Sequence, residues 1–274
     1  VDLTSDLAKE SNLELDLKEY ENLMSIQRKN AQKNSRFEAL LPSAIDLDDE
    51  TKFLGYELDS TESVVKLIFQ NGKNVDCVAS GDCVIILDKT PFYGESGGQV
   101  GDSGKLISKN NEVRVSDTQK VGNFYLHICH IEKGEVRVNQ KLNAEIDINR
   151  RNAITSNHSA THLMHSALRN NLGTHVQQKG SLVSEEKLRF DFSHKQKVTT
   201  EEILKIEREV NYEINSAKDT QVIETTYEES QKLGALAFFG EKYGERVRVL
   251  KICDDYSVEL CGGTHVKNSS EIKS

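Results

Sequence analysis

The sequence predicts an α+β protein in three segments, and three observations carry that prediction. Residues 1–40 have a helical pattern. Residues 51–148 switch to short period-two runs separated by glycine turns. Residues 149–274 mix helices and strands with no regular βαβ rhythm. With 274 residues the chain is long enough for two domains and a substantial core. Hydrophobic residues make up 36% and charged residues 29%, which suits a globular protein and excludes a collagen-like one. No run approaches the roughly 18 apolar residues of a membrane span. The chain begins VDLTSDLAKE, without a signal peptide and with Val in place of Met, so it is expected to be a cytoplasmic protein's internal piece.

In the first segment, Thr4 is placed to cap a short helix that Asn12 stops. Asp16 with Glu19 forms a capping box for a second helix carrying Leu17, Tyr20 and Met24 on a weak apolar stripe. Residues 41–50, with Pro42, read as a linker. The runs SVVKLIFQ, DCVIILD, EVRVSDTQ, NFYLHICHI and LNAEIDI follow as strands. Asn71-Gly72, Ser80-Gly81 and Gly122 lie among the turns between them, the pattern of a small β-barrel or sandwich. Arg150–Leu172 then reads as a helix stopped by Gly173. GSLVS and KLRFDFS make a hairpin with Leu188, Phe190 and Phe192 on one face. Thr199 and Glu202 form a capping box for an amphipathic helix, and RVRVLKIC and YSVEL finish as strands.

The net charge of −9 is uneven: residues 1–50 carry −6, residues 51–148 carry −3, and residues 149–274 are neutral. The last segment can therefore meet a phosphate backbone locally. The five cysteines are odd in number and scattered, which points to free thiols in a reducing compartment. Cys77, Cys83, Cys129, His127 and His130 lie on or near strands and read as structural. Lys187, Arg189, Lys195 and Lys197 read as a solvated basic run, with contact to phosphate as the alternative.

Two constellations can carry chemistry. His158 and His162 are four residues apart, about 40° around a helix, and project from one side of it. Cys261-Gly-Gly-Thr-His265 adds a thiol and a third imidazole across a glycine turn. Three nitrogens and one sulfur are the donor set Zn²⁺ favours, against the alternative of buried but inert polar residues. Ser159 stands where the HExxH general base would be, so a metalloprotease is excluded. His165, one turn on, is either a partner behind the ligands or an ordinary amphipathic histidine, the latter favoured. Thr161, about 60° to the other side of His158, can either border the site or be a helix-surface threonine. The second constellation, residues 90–104, holds glycines 94, 97, 98, 101 and 104 but no nucleotide-binding fingerprint, and by itself reads as a barrel corner.

TPFYGESGGQVGD, SNHSATHLMHSALRNNLGTHVQQKGSLV, LRFDFSH, FFGEKYGERVRV and VELCGGTHV together resemble the alanyl-tRNA synthetases in their editing region. The first segment is similar to the end of their helical tRNA-recognition domain. The resemblance implies that residues 1–40 are a helical remnant, 51–148 a β-barrel, and 149–274 a zinc-containing editing domain. That last domain is of the threonyl/alanyl-tRNA synthetase second additional domain type. It implies one Zn²⁺ on His158, His162, Cys261 and His265, catalytic roles for Thr161 and Gln178, and contact of Gly97 and Gly98 with the tRNA 3′ end. The parent activity it implies is ATP-dependent attachment of alanine to tRNA-Ala. ATP and Mg²⁺ would act in an aminoacylation domain absent here, as is the oligomerisation domain. This segment would hydrolyse Ser-tRNA-Ala and Gly-tRNA-Ala, with no membrane partner. The need is physical: a pocket for alanine cannot exclude glycine by size and rejects an added hydroxyl only about 10²-fold. The competing functions are a free-standing trans-editing deacylase and a non-catalytic zinc-stapled tRNA-binding module. At Asn268–Ile272 the sequence departs from the Thr-Gly commoner in the family, past the ligands.

Overall fold

A computed structural model describes residues 16–24, 50–237 and 244–272. Residues 17–24 are helical, and the Glu19 N–H donates to Asp16 Oδ1 at 2.9 Å, one half of the expected capping box. The Thr4 cap, the Asn12 stop, residues 41–49 of the linker and the FFGEKY motif at 238–243 lie outside the described residues. Among the described residues, no helix is long and apolar enough to cross a membrane.

Six antiparallel strands close into a barrel: β1 (Ser60–Gln70), β2 (Gly81–Leu87), β3 (Gly104–Ile107), β4 (Glu112–Val121), β5 (Phe124–Lys133) and β6 (Lys141–Ile146). Their order is β6-β3-β4-β5-β2-β1, and β1 pairs back onto β6, which leaves no open edge in that ring. Asn71-Gly72, both at positive φ, make the tight turn after β1 that the sequence predicts. Register shifts in β1 and β4 mark bulges that bend the strands around the barrel. Alternate residues point inward, so Val65, Ile85, Leu87, Leu106, Val113, Val115 and Leu142 fill the interior around Phe92. Cys83 and Cys129 face one another in that core as free thiols, small hydrophobes as expected.

The remaining chain is α1 (Ile148–Leu172), a hairpin of β7 (Gln178–Val183) and β8 (Leu188–Phe192), α2 (Thr200–Asn215), and a three-stranded antiparallel sheet. That sheet has the order β9 (Thr220–Thr226), β10 (Arg246–Ile252), β11 (Ser257–Leu260). Helix α1 starts two residues before the predicted Arg150, because the Asp147 carboxylate accepts from the Asn149 and Arg150 N–H groups. The Thr199–Glu202 capping box is complete. Strand β9 was not foreseen. Its alternating residues are half-exposed at the sheet edge, a weak signal beside the buried runs that flank it.

Buried polar bonds join the two halves. Arg151 of α1 sets its Nε 3.0 and 3.1 Å from the two Asp102 carboxylate oxygens, and donates to the Gly55 and Pro91 carbonyls at 2.8 and 3.0 Å. Asp102 also accepts from the Tyr93 N–H at 2.7 Å. The glycine-rich loop thus hangs on the helix that carries His158. A second seam runs along the hairpin, where Val183 donates its N–H to the Gly98 carbonyl at 2.7 Å and Val100 donates to the Val183 carbonyl at 3.0 Å.

Candidate metal centre and cleft

The four residues singled out as ligands converge. The ligand atoms of His158, His162, Cys261 and His265 all lie within 4.8 Å of one another. Helix α1 supplies the first two, one turn apart, with ring centroids 5.2 Å apart. The turn leaving β11 supplies the others. Gly263 is required there, because a Cβ would stand 2.2 Å from His158 Cε1, whereas a Cβ on Gly262 would meet open space.

Each imidazole is oriented through its Nδ1. His158 Nδ1 lies 2.7 Å from Gln99 Oε1, His162 Nδ1 lies 2.7 Å from Glu259 Oε2, and His265 Nδ1 lies 3.2 Å from Ser159 Oγ. A carbonyl or carboxylate partner holds the proton on Nδ1 and leaves Nε2 as a lone pair aimed at the cluster. His162 Nε2 is buried and has no hydrogen-bond partner. Cys261 Sγ lies 3.6 Å from His158 Nε2 and 3.3 Å from His265 Nε2. A tetrahedral ion of zinc's size, with bonds of about 2.3 Å to sulfur and about 2.0 Å to nitrogen, sets such atoms about 3.5 Å apart. The donors therefore fit a metal.

The electrostatics fit it too. Burial pushes the Cys261 thiol up, but His158, His265 and His162 together outweigh it and hold the thiol well below its ordinary value. Burial alone would keep Glu259 protonated, yet His162 and His165 bring it down to about 2. Burial opposes charge on His162, and Glu259 with Cys261 overcomes this, lifting it to about 10, so without an ion Nε2 carries a second proton that a bound metal would displace to reach the lone pair. On His265 burial dominates, aided by His158, and lowers it to about 3. Two buried anions ringed by imidazoles favour a cation.

Three of the four cluster residues, His158, His162 and Cys261, form one wall of a cleft of about 260 Å³, and His265 lies behind them. Thr161, Gln178, Gly97, His158, His162 and Cys261 all line it, together with Arg246 and Arg248. Thr161 Oγ1 donates to the Asn157 carbonyl at 2.8 Å, so its lone pairs remain available to accept. Gln178 opens β7, on the hairpin. Gly97, at φ 58° with open space about it, presents backbone to the cleft. Gly98 does not line the cleft. It packs on the hairpin, where a Cβ would stand 2.7 Å from the Ser181 carbonyl oxygen.

Among the groups that orient the imidazoles, three escaped sequence reading, as did the cleft-lining Arg246 and Arg248. Gln99 accepts at Oε1 from the Thr264 N–H at 3.0 Å as well as from His158, and donates from Nε2 to Thr264 Oγ1 at 2.9 Å. Glu259 bridges His162 to His165, whose Nδ1 is 2.8 Å away, so His165 is a buried partner behind the ligands and not an ordinary surface histidine. Ser159, read only as a missing general base, holds His265. VELCGGTHV contained one usable signal, an acid two residues before the cysteine on a buried strand. Lys187, Lys195 and Lys197 are exposed, and Arg189 pairs with Asp191 at 2.9 Å.

Fold and site define a class: a closed barrel joined to an α+β unit with a His₃Cys centre. Residues 1–150 match the family model of class II (A) tRNA synthetases, and residues 247–274 match the threonyl and alanyl tRNA synthetase second additional domain. The chain belongs to the alanyl-tRNA synthetase family within class II. Alanine–tRNA ligase of Dichelobacter nodosus is 47% identical over 274 residues, 99% of this chain and 31% of that protein. Alanine–tRNA ligase of Thermoanaerobacter sp. is 46% identical over 278 residues, again 99% of this chain and 32% of the relative. The chain thus spans about a third of the length of the curated relatives it matches.

Proposed function

We propose that this chain is the editing part of an alanine–tRNA ligase and hydrolyses Ser-tRNA-Ala and Gly-tRNA-Ala in the cleft beside α1. One observation carries the reading: His158, His162 and Cys261 of the His₃Cys cluster line a single cleft with Thr161 and Gln178. Residues 1–40 are the end of the tRNA-recognition part, 41–50 a linker, 51–148 the barrel and 149–274 the editing domain. The partner is tRNA-Ala, the compartment the cytoplasm. Attachment of alanine with ATP and Mg²⁺ belongs to the part of such ligases that this chain does not span.

The reaction breaks the ester between the amino-acid carbonyl and a ribose hydroxyl of the terminal adenosine. Water supplies the new acyl oxygen, and the ribose oxygen leaves with a proton. Zn²⁺ on His158, His162, Cys261 and His265, a closed set of four, would organise the cleft wall and add positive charge beside the terminal ribose. Thr161 offers an acceptor and Gln178 both an acceptor and donors, suited to position the serine hydroxyl and the water. Gly97 gives the 3′ end a backbone surface without side-chain obstruction, and Gly98 holds that loop on the hairpin. A site that hydrogen-bonds a substrate hydroxyl discriminates strongly against the analogue lacking it. Ser-tRNA-Ala should therefore be hydrolysed far faster than Ala-tRNA-Ala and faster than Gly-tRNA-Ala, which also lacks the hydroxyl, and Gln178→His should remove most of the serine-specific activity. Deacylation assays on both esters, with and without a chelator, test this. Equal rates, or none, would overturn it. The closed ligand set also suits a zinc-stapled tRNA-binding module, which would bind tRNA-Ala without turnover.

A further inference from the structure

The Cys261-Gly262-Gly263 turn is held from outside in an unusual way for a glycine-rich segment. Its three successive carbonyls all accept hydrogen bonds from two side chains. Arg248 Nη1 donates to Cys261 O at 3.1 Å and to Gly263 O at 2.9 Å. Tyr56 Oη donates to Gly262 O at 2.5 Å. The two side chains also brace one another, with the Arg248 guanidinium carbon 4.1 Å from the Tyr56 ring centroid. The Cys261 N–H donates to the Arg248 carbonyl at 3.0 Å, so β10 grips the turn by backbone as well.

Tyr56 does not belong to this half of the molecule. It sits ahead of β1, where residues 52–53 pair in parallel with residues 89–90 and Phe53 stacks on Tyr125, centroids 5.3 Å apart. Phe53 then meets Tyr56 edge-on at 4.9 Å. The hydroxyl that holds Gly262 is therefore aimed by the barrel.

We infer that Tyr56 and Arg248 form a clamp that positions Cys261 for metal, so that metal affinity is set partly by the barrel. This rests on the reading of the four residues as ligands. Glycines without Cβ atoms leave a turn many conformations, and an unrestrained thiolate must lose that freedom when it binds. Hydrogen bonds to all three carbonyls remove it beforehand. Groups that orient a ligand in this manner typically contribute 10–100-fold in metal affinity.

The test is metal affinity in the full chain, by chelator competition with Zn²⁺ and by the visible ligand-field spectrum with Co²⁺. Tyr56→Phe removes only the hydroxyl and keeps the ring under Arg248. Arg248→Met keeps a long side chain beside Tyr56 but removes both hydrogen bonds to the turn. Each should weaken Zn²⁺ about tenfold or more and alter the Co²⁺ band, while the far-ultraviolet circular dichroism stays that of the parent. Native affinity and spectrum in both variants would overturn the clamp and leave the ligand set standing. A parent chain that binds neither ion would overturn both.

Discussion

The barrel and the cleft each bury a histidine, and the two are used in opposite ways. His127 in the barrel has both nitrogens engaged: Nδ1 lies 2.9 Å from the Ile85 carbonyl and Nε2 lies 2.7 Å from Thr90 Oγ1. The carbonyl must accept, so Nδ1 donates and the threonine hydroxyl donates a hydrogen bond to Nε2. Burial keeps this ring neutral, its pKa lowered to about 4. His162 in the cleft has its Nδ1 anchored on Glu259 and its Nε2 without a partner. The difference separates a polar group that serves the fold from one held ready for something the fold does not contain. An unsatisfied buried nitrogen costs free energy, and it persists here beside three other donors that converge on it.

The strongest way to break this contrast is Cys261→Ala. If the cleft is built around an ion, elemental analysis should fall from about one Zn per chain to almost none, and hydrolysis of Ser-tRNA-Ala should be lost with it. Metal retained at the parent level would remove Cys261 from the ligand set. Next is the bond between the halves. Asp102→Asn leaves Arg151 buried without its counter-charge and should cost about 3–5 kcal/mol in denaturant unfolding. A loss under about 1 kcal/mol would mean that the two halves dock by other means.

His127 sharpens the comparison through pH. Its folded pKa lies below the ordinary value near 6.5, so the unfolded chain binds a proton that the folded chain refuses. Stability from this group is complete above pH 7, falls as pH drops from about 6.5 to about 4, and levels off below. The difference in unfolding free energy between the parent and His127→Gln should change by up to about 3 kcal/mol over that window. Parallel pH curves for the two proteins would refute the assignment. The smallest effect separates adjacent glycines. Gly263→Ala drives a Cβ into the His158 ring and should weaken metal binding at least tenfold, while Gly262→Ala should stay within about 0.5 kcal/mol of the parent in stability.

What the sequence made legible was whatever is written locally. His158 and His162 share a helix face because four residues make about one turn, and two glycines between Cys261 and His265 announce a tight turn. The period-two runs and the Asn71-Gly72 turn foretold the strands that form the barrel. Which way each imidazole faces was not legible. The partner of His158 lies 59 residues away and that of His162 lies 97 residues away, brought near only by the closure of the barrel and the pairing of the last sheet. The same holds for Arg151 with Asp102 and for Tyr56 with Gly262, 206 residues apart. Gln99 shows the limit well: in TPFYGESGGQVGD it reads as one polar residue among glycines, and only tertiary structure makes it the group that holds His158 in one tautomer.

The Arg151–Asp102 pair and the Gly98–Val183 seam bear on how this unit can be inherited or transplanted. Cut between β6 and α1, the downstream piece would keep all four residues of the cluster yet lose the acceptor on His158 and the hydroxyl on Gly262, and would expose Arg151 without its bonds to Asp102, Gly55 and Pro91. Grafting only the downstream piece onto another protein would carry the donors without the scaffolding that aims them. The smallest portable cassette therefore begins ahead of the barrel, at the segment that carries Tyr56.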